Sequence, residues 1–323
     1  MRLPQMLGMH HVTAMASDVQ ATYKLMTQVM GLRLIKQTVN QDQLDTYHFY
    51  FTDAVGTPGS DLTFFFFPHQ QPAVRGTNMI AKISFRVPDD DALLQWADRL
   101  AAARIESTRV TQFGDAGLEF LDADGQVYQL LSDLHDPTPA PNHPWVNSSV
   151  PLSMAIGGLG PVTITIVNAE HLAYVLTEIL GFHLLATEGT KQLFALGAGG
   201  HSQQLILDLQ PDLPLAQSGY GMAHHVAFCT EDSATLKSWV AHLAKFDLPQ
   251  SGIVDRFYFE SDYFRPSPQL LFEIATQGPG FFQDEPEATA GQRLALPPFL
   301  VPQRAKLLAN LPRFEGGWVN DDF

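Results

Sequence analysis

Cysteine occurs once in the 323 residues, at Cys229. A disulfide framework within the chain is therefore excluded, and a reducing compartment is the expected setting. Cys229 follows Phe228 in an apolar, strand-like run, which reads as core rather than as a nucleophile. Basic residues are scarce: 19 Lys and Arg stand against 34 Asp and Glu, a net charge of −15 with no block of like charge. Phosphate binding needs a basic patch, so no nucleic-acid partner is expected. Docking to an anionic membrane is excluded on the same ground. The acidic surplus reads as a device for solubility. Apolar runs long enough to span a bilayer are missing, since Phe64 to Phe67 is far too short. Met1 to Met9 carries no apolar targeting core and no cleavage signature. A cytoplasmic protein is expected. Phosphate-cradling glycine motifs and GxSxG are absent as well; GAGGH at Gly197 reads as a hairpin turn.

What is present is 45% apolar residues, enough for a sizeable core, and a pattern that repeats four times. HHVTAM from His10, AKISFRV from Ala81, PVTITIV from Pro161 and AHHVAFC from Ala223 read as short strands. Each leads to polar residues suited to a helix N-terminus: Asp18, Asp89 to Asp91, Asn168 with Glu170, and Glu231 with Asp232. Each then leads to an apolar stripe at i, i+3, i+4, i+7 and i+8. The stripes are Thr22/Leu25/Met26/Val29/Met30, Leu93/Trp96/Ala97/Leu100/Ala101, Leu172/Val175/Leu176/Ile179/Leu180 and Leu236/Trp239/Val240/Leu243/Ala244. Gly31 and Gly181 follow the first and third helices, each with an apolar residue after it. Several short strands bounded by turn residues complete each unit.

The predicted fold is α+β, four βαβββ modules in two tandem domains. Residues 1–135 form the first domain with two modules, and residues 151–280 the second with two more. The proline-rich stretch within 136–150 (DPTPAPNHP) is the linker. Residues 281–323 are an extended C-terminal extension with a short helix near Arg304 to Leu308.

Only the first and fourth opening strands carry His-His pairs, His10-His11 and His224-His225. Side chains alternate along a strand, so one member of each pair faces a given side. His225 shares its face with the small Ala223 and Ala227, which leave room for a site. Val12 and Ala14 share the face of His10, and Val226 and Phe228 that of His224, which reads as packed against a helix. His11 and His225 are therefore the candidate ligands. His10 and His224 support them or serve the structure. Glu273 lies in the apolar run LLFEIAT, where a carboxylate is costly unless paired or bound to metal. A buried ion pair with Arg256 or Arg265 is the competing account. Two imidazoles and one carboxylate form the facial triad of non-haem iron(II) oxygenases, although the same set serves zinc and manganese. Aligning DLTFFFF with QLLFEIA places Phe65 opposite Glu273, as an aromatic wall rather than a fourth ligand.

The blocks GMHHVTA, MGLRLIKQTVN and DTYHFYFTDAVGTPGSDLTFFFFP resemble the vicinal oxygen chelate superfamily (glyoxalase, bleomycin resistance and extradiol dioxygenase), in its hydroquinone-type ring-cleaving branch. VDRFYFESDYFRPSPQLLFEIATQGPGF and LALPPFLVPQRAKLLANLP extend the resemblance over nearly the whole chain. It implies an iron(II) enzyme, with Mn(II) or Zn(II) as other metals for this ligand set. Its reaction would open a hydroquinone-like or catechol-like ring with O2. The family's ligand positions fall on His11, His225 and Glu273. Its supporting positions fall on His10, Thr13, His224, Arg256 and Tyr263, with Arg256 and Tyr263 seating substrate and relaying protons. Where relatives carry glycine before the last strand this chain has Gln269, and Glu260 and Asp262 are expected to add negative charge close to Tyr263. The implied partners are a small aromatic substrate and O2; a homo-oligomer stays open. A metal-dependent isomerase or lyase and a non-catalytic aromatic-binding protein are the alternatives on the same scaffold.

Overall fold

The structure is a computed structural model and describes residues 4–140 and 143–316. The first module comprises β1 (Gly8–Met15), α1 (Val19–Lys24), β2 (Arg33–Val39), β3 (Tyr47–Thr52) and β4 (Asp61–Phe66). The second comprises β5 (Met79–Val87), α2 (Asp90–Ala102), β6 (Ser107–Gln112), β7 (Asp115–Leu121) and β8 (Val127–Ser132). The third comprises β9 (Leu159–Ile166), α3 (Ala169–Tyr174), β10 (His183–Glu188), β11 (Lys191–Ala195) and β12 (Gln204–Leu209). The fourth comprises β13 (Met222–Thr230), α4 (Ser233–Leu243), β14 (Gln250–Asp255), β15 (Phe259–Ser267) and β16 (Leu270–Pro279).

The helices start where side chains satisfy free N–H groups. Asp18, Asp89, Asn168 and Asp232 each accept from the first turn that follows. Such a cap is worth about 1 kcal/mol. The apolar stripes then meet the sheets, with Trp96 and Trp239 fully buried. One departure from the regular period appears twice. Both α1 and α3 widen into a π-helical turn, Leu25–Val29 and Val175–Ile179. In the first module Leu25 and Val29 are half-buried and Met26 and Met30 lie in the core, whereas in the third Val175, Leu176, Ile179 and Leu180 are all buried. Gly31 and Gly181 end these turns at φ 76° and 81°, a region that favours glycine. The N–H groups of Leu32 and Phe182 then bond back to the carbonyls of Met26 and Leu176.

A single βαβββ unit leaves the outer edge of its first strand without partners, and unpaired strand edges invite pairing. Two such edges meet twice. β1 pairs antiparallel with β13, and β5 with β9. The result is two eight-stranded sheets, ordered β14-β15-β16-β13-β1-β4-β3-β2 and β10-β11-β12-β9-β5-β8-β7-β6. In space the first module thus shares a sheet with the fourth, and the second with the third. Each half of the chain contributes one module to each sheet. The segment between β8 and β9 holds the expected linker, and Ala54 N–H bonds to the His143 carbonyl there at 2.8 Å. Among the described residues, no helix is long and apolar enough to cross a membrane.

The tail after β16 packs along β2. Residue 291 must be glycine, because a Cβ there would lie 1.9 Å from the Leu34 carbonyl oxygen. Arg33 donates to the carbonyls of Glu287 and Ala290. Lys36, with no exposure, binds Asp284 at 2.8 Å and also Glu285. The short helix expected near Arg304 is α5 (Arg304–Asn310). Removing one partner of a buried pair leaves the others uncompensated, at a cost of about 3–5 kcal/mol. Lys36→Met should therefore lower the urea midpoint and expose the tail to limited proteolysis. An unchanged midpoint and cleavage pattern would show that the contact does not hold the tail.

Candidate metal centre

The β1–β13 seam is irregular at two places that mirror each other. Met9 faces Phe228 and His11 faces Ala227, so His10 is an extra residue on β1. Thr13 faces His225 and Ala14 faces Ala223, so His224 is an extra residue on β13. A bulge re-aims the side chain it inserts. The expectation that His10 and His224 share the helix-packed faces is corrected here, because the bulges break the alternation. Val12, Val226 and Phe228 do lie in the core, but His10 turns against Phe259, ring centres 5.0 Å apart. His10 Nδ1 bonds His11 Nδ1 at 2.8 Å, and His224 Nδ1 bonds His225 Nδ1 at 2.8 Å.

The inner atoms converge. His11 Nε2 and His225 Nε2 are 3.1 Å apart. Glu273 Oε2 lies 3.3 Å from the first and 3.0 Å from the second. Bonds of about 2.1 Å at right angles give ligand atoms separated by about 3.0 Å. The three atoms thus form one triangular face suited to a divalent cation. Exposure is 2% for His11, 4% for His225 and 0% for Glu273. Glu273 Oε1 accepts from Ser261 Oγ at 2.5 Å, while Oε2 is buried and accepts no hydrogen bond. The competing ion pair is not formed among the described residues. Arg256 instead holds Asp42 through two bonds of 2.9 and 3.1 Å, and Arg265 is exposed.

The hydrogen bonds behind His11 fix its tautomer. His10 Nε2 must donate to the Thr276 carbonyl at 3.0 Å, since that oxygen can only accept. His10 Nδ1 then accepts from His11 Nδ1–H, which leaves His11 Nε2 for the site. Burial and the His11 charge hold His10 down at about 3, so it stays neutral. Burial and His225 do the same for His224, at about 3. Burial opposes ionisation of Glu273, yet His11 and His225 hold it well below the usual carboxylate range. Burial also opposes a charged His11, and Glu273 overcomes it and raises that pKa. A divalent cation held at this face would offset the same buried carboxylate charge.

Around this face stand the other expected residues. Thr13 Oγ1 lies 2.9 Å from His225 Nε2. Arg256 Nε donates to the Tyr263 hydroxyl at 3.0 Å, and the Tyr263 ring lies 5.9 Å from that of His225. Burial, with the nearby Glu273 charge, pushes the Tyr263 phenol well above its ordinary value. Phe65 does wall the site, with ring centres 5.5 Å from His224 and 6.4 Å from His225. It is not the mirror of Glu273, however. Glu273 faces Ala227, two residues after His225; Thr63 faces Thr13, two residues after His11. Thr63 therefore holds that place, and the alignment was two residues out of register. Glu260 and Asp262 are also corrected. They alternate with Tyr263 on β15 and point to the other face, where Ser233 of α4 binds Glu260 and Ser251 binds Asp262.

Four residues of the first module were missed: His48, Tyr50, Asp61 and Thr63. Tyr50 bonds His48 Nδ1 at 2.9 Å, and His48 Nε2 bonds Thr63 Oγ1 at 2.9 Å. Thr63 Oγ1 bonds Thr13 Oγ1 at 2.7 Å. Asp61 lies beside His11 in register, 1% exposed, with both carboxylate oxygens unpartnered. Their signal was alternation: His48 and Tyr50 interrupt Phe49 and Phe51, and Asp61 and Thr63 interrupt Leu62 and Phe64.

A family model, the Glyoxalase/Bleomycin resistance protein/Dioxygenase superfamily, matches residues 8–130. Paired βαβββ modules are the fold of that class, and the chain belongs to this superfamily. A Bacillus subtilis (strain 168) protein named "Putative ring-cleaving dioxygenase MhqA" is 38% identical over 94% of this chain and 98% of its own. A Sphingobium indicum protein named chlorohydroquinone/hydroquinone 1,2-dioxygenase is 28% identical over 96% of this chain and 98% of its own. A crystal structure of a "putative dioxygenase" from Bacillus subtilis superposes with TM-score 0.90 at 32% identity, over 96% of this chain and 98% of that one.

His225→Ala should bring the divalent metal retained after desalting, measured by atomic emission, close to zero. Stoichiometric metal in that variant would sink the ligand assignment. Asp61 gives a second expectation. Burial pushes its carboxyl from 3.8 up to about 8, against the pull of His11. The folded protein then keeps a proton that the unfolded chain has released. Stability must fall as pH rises from about 4 toward about 8. In metal-free protein, Asp61→Asn should add a few kcal/mol at pH 8, on the order set by that linkage, and almost nothing near pH 4. Parallel stability-pH curves for the two proteins would refute the assignment.

Proposed function

We propose that the protein is a metal-dependent ring-cleaving dioxygenase that opens hydroquinone-like, or catechol-like, aromatics with O2. The observation that carries this reading is the triangular face of His11, His225 and Glu273, in a chain similar along its length to proteins named dioxygenases. The metal in this reading is iron(II), with Mn(II) or Zn(II) as substitutes for the same ligands, and the chemistry is of the extradiol type. Iron(II) held there would supply the electron exchange between an electron-rich ring and O2.

The chain's own residues do the rest. His10 and His224 stay neutral and hydrogen-bond the ligand imidazoles, and His10 holds His11 in one tautomer. Arg256 is anchored by Asp42 and stays charged despite partial burial, so it offsets negative charge developing on substrate oxygen. Tyr263 keeps its proton and offers it to that oxygen as a hydrogen-bond donor. Phe65 and Phe67 flank His224 and give a flat ring an apolar wall. A glyoxalase-like isomerase on this scaffold would use a fourth protein ligand at the place that mirrors Glu273, and that place is Thr63. The lone buried Cys229, whose thiol burial pushes up to about 12, supports a reducing and cytoplasmic setting.

Oxygen uptake by protein loaded anaerobically with iron(II), offered a panel of hydroquinones and catechols, tests the proposal. Uptake coupled to a yellow ring-opened product is expected. One bound iron per chain and no uptake with any aromatic would overturn it in favour of an isomerase or a binder.

A further inference from the structure

Tyr50, His48, Thr63 and Thr13 form one unbranched chain of side-chain hydrogen bonds that ends at the candidate metal face. The steps are 2.9, 2.9, 2.7 and finally 2.9 Å to His225 Nε2. Thr13 and Thr63 have no exposure and Tyr50 has 4%. The direction of such a chain follows from its far end. Among the described residues, the Tyr50 hydroxyl bonds to His48 alone. A buried hydroxyl that failed to donate would lose about 1–3 kcal/mol, so Tyr50 donates to His48 Nδ1. Burial, with the charge of Asp61 nearby, raises the Tyr50 pKa well above the ordinary phenol value, so the donor is always present. Neutral His48 has one lone pair and one N–H. With Nδ1 accepting, Nε2–H donates to Thr63. Thr63 in turn donates to Thr13, and Thr13 is left to donate into the site.

We propose that Tyr50, His48 and Thr63 are positioning residues that lock the Thr13 hydroxyl as a hydrogen-bond donor to the oxygen of the substrate. The inference rests on the dioxygenase reading for its substrate but not for its geometry. Thr13 Oγ1 stands 2.9 Å from His225 Nε2, placed to donate to its lone pair. A metal held by His225 would take that lone pair, and the Thr13 hydrogen would then need another acceptor in the same small volume. An oxygen brought in with the aromatic substrate or with O2 is that acceptor. A locked donor selects for an oxygen that has lost its proton, as a phenolate has, and disfavours one that still presents O–H. No proton is stored on the chain, and no bond is made or broken in setting it.

The test uses Thr63→Val, which keeps the volume and cuts the chain, and Tyr50→Phe, which frees its direction. Both spare the ligands. Imidazole nitrogen NMR of histidine-labelled, zinc-loaded protein should show His48 as a single Nε2–H tautomer, and as a mixture in Tyr50→Phe. In the iron-loaded enzyme, both variants should keep one metal per chain and lose about tenfold in kcat, the scale of one hydrogen bond, with KM changed less than kcat. His48 found as the Nδ1–H tautomer in the unsubstituted protein, or full kcat in both variants, would overturn the inference. If the unsubstituted enzyme consumes no O2, the proposed activity fails, and the NMR result alone then decides the direction of the chain.

Discussion

Everything at the centre of this protein follows from one costly placement, the Glu273 carboxylate at zero exposure in an apolar strand. A charge in that position needs partners within a few ångströms or it gives up its charge. Its neighbours on β15 and β14 supply no cation; Ser261 satisfies one oxygen and leaves the other bare. Two imidazoles from two different modules approach that oxygen across the sheet, His11 at 3.3 Å and His225 at 3.0 Å. That arrangement ties the fourth module to the first more specifically than strand pairing alone, because β1 must sit in the one register that presents His11. Electrostatics and register therefore constrain each other.

The two sheets share one plan, and the difference between them shows what the ligand set replaces. In the second sheet β5 also carries an extra residue, Ala81, before Lys82, as β1 carries His10 before His11. Lys82 thus stands where His11 stands. Ile206, which faces Thr163, stands where Glu273 faces Ala227. The second sheet has no carboxylate there to neutralise, and its Lys82 ammonium is met by Gln112 at 2.9 Å and Glu119 at 2.6 Å. One sheet gathers a set of candidate metal ligands, and the other carries a cation of its own. Duplicated modules can diverge this way because the fold's stability lies in the helix-packed face, which both sheets keep.

The repeat, the capped helices and the three converging residues were legible because each leaves a local mark. Caps stand next to apolar stripes, and Glu273 is the lone charge in LLFEIAT. The pairing of first with fourth module was not legible, since nothing local distinguishes one unpaired strand edge from another. The bulges were hidden for the same reason: an extra residue on one strand is defined only against its partner. Without them, strict alternation sent His10 and His224 to the wrong side; Phe65 took the place of Thr63 through a motif alignment two residues out of register, which alternation alone cannot detect. Glu260 and Asp262 were misplaced by judging sequence distance to Tyr263 rather than strand parity. His48 and Tyr50 carried a mark, polar groups alternating with Phe49 and Phe51, but that pattern equally describes a strand with one solvated face.

The polar groups missed by the sequence reading change how the site must treat its substrate. Beside the ligands themselves, the fourth module presents two donors to the metal position, Tyr263 with its retained proton and the charged Arg256. The first module adds Thr13, which the chain from Tyr50 orients as a donor too. Asp61 is the exception, a buried carboxyl with neither oxygen bonded, beside His11. Its burial works against ionisation, whereas a cation at the triad would favour it. A centre whose donors converge on one small volume is matched to an anionic oxygen seated between them. It discriminates against a neutral ether or an amine by leaving those donors unpaired, which costs more than a lost contact. Selectivity in this architecture therefore resides less in the aromatic wall of Phe65 than in the direction of a few hydroxyl hydrogens, which the first module sets from its far side.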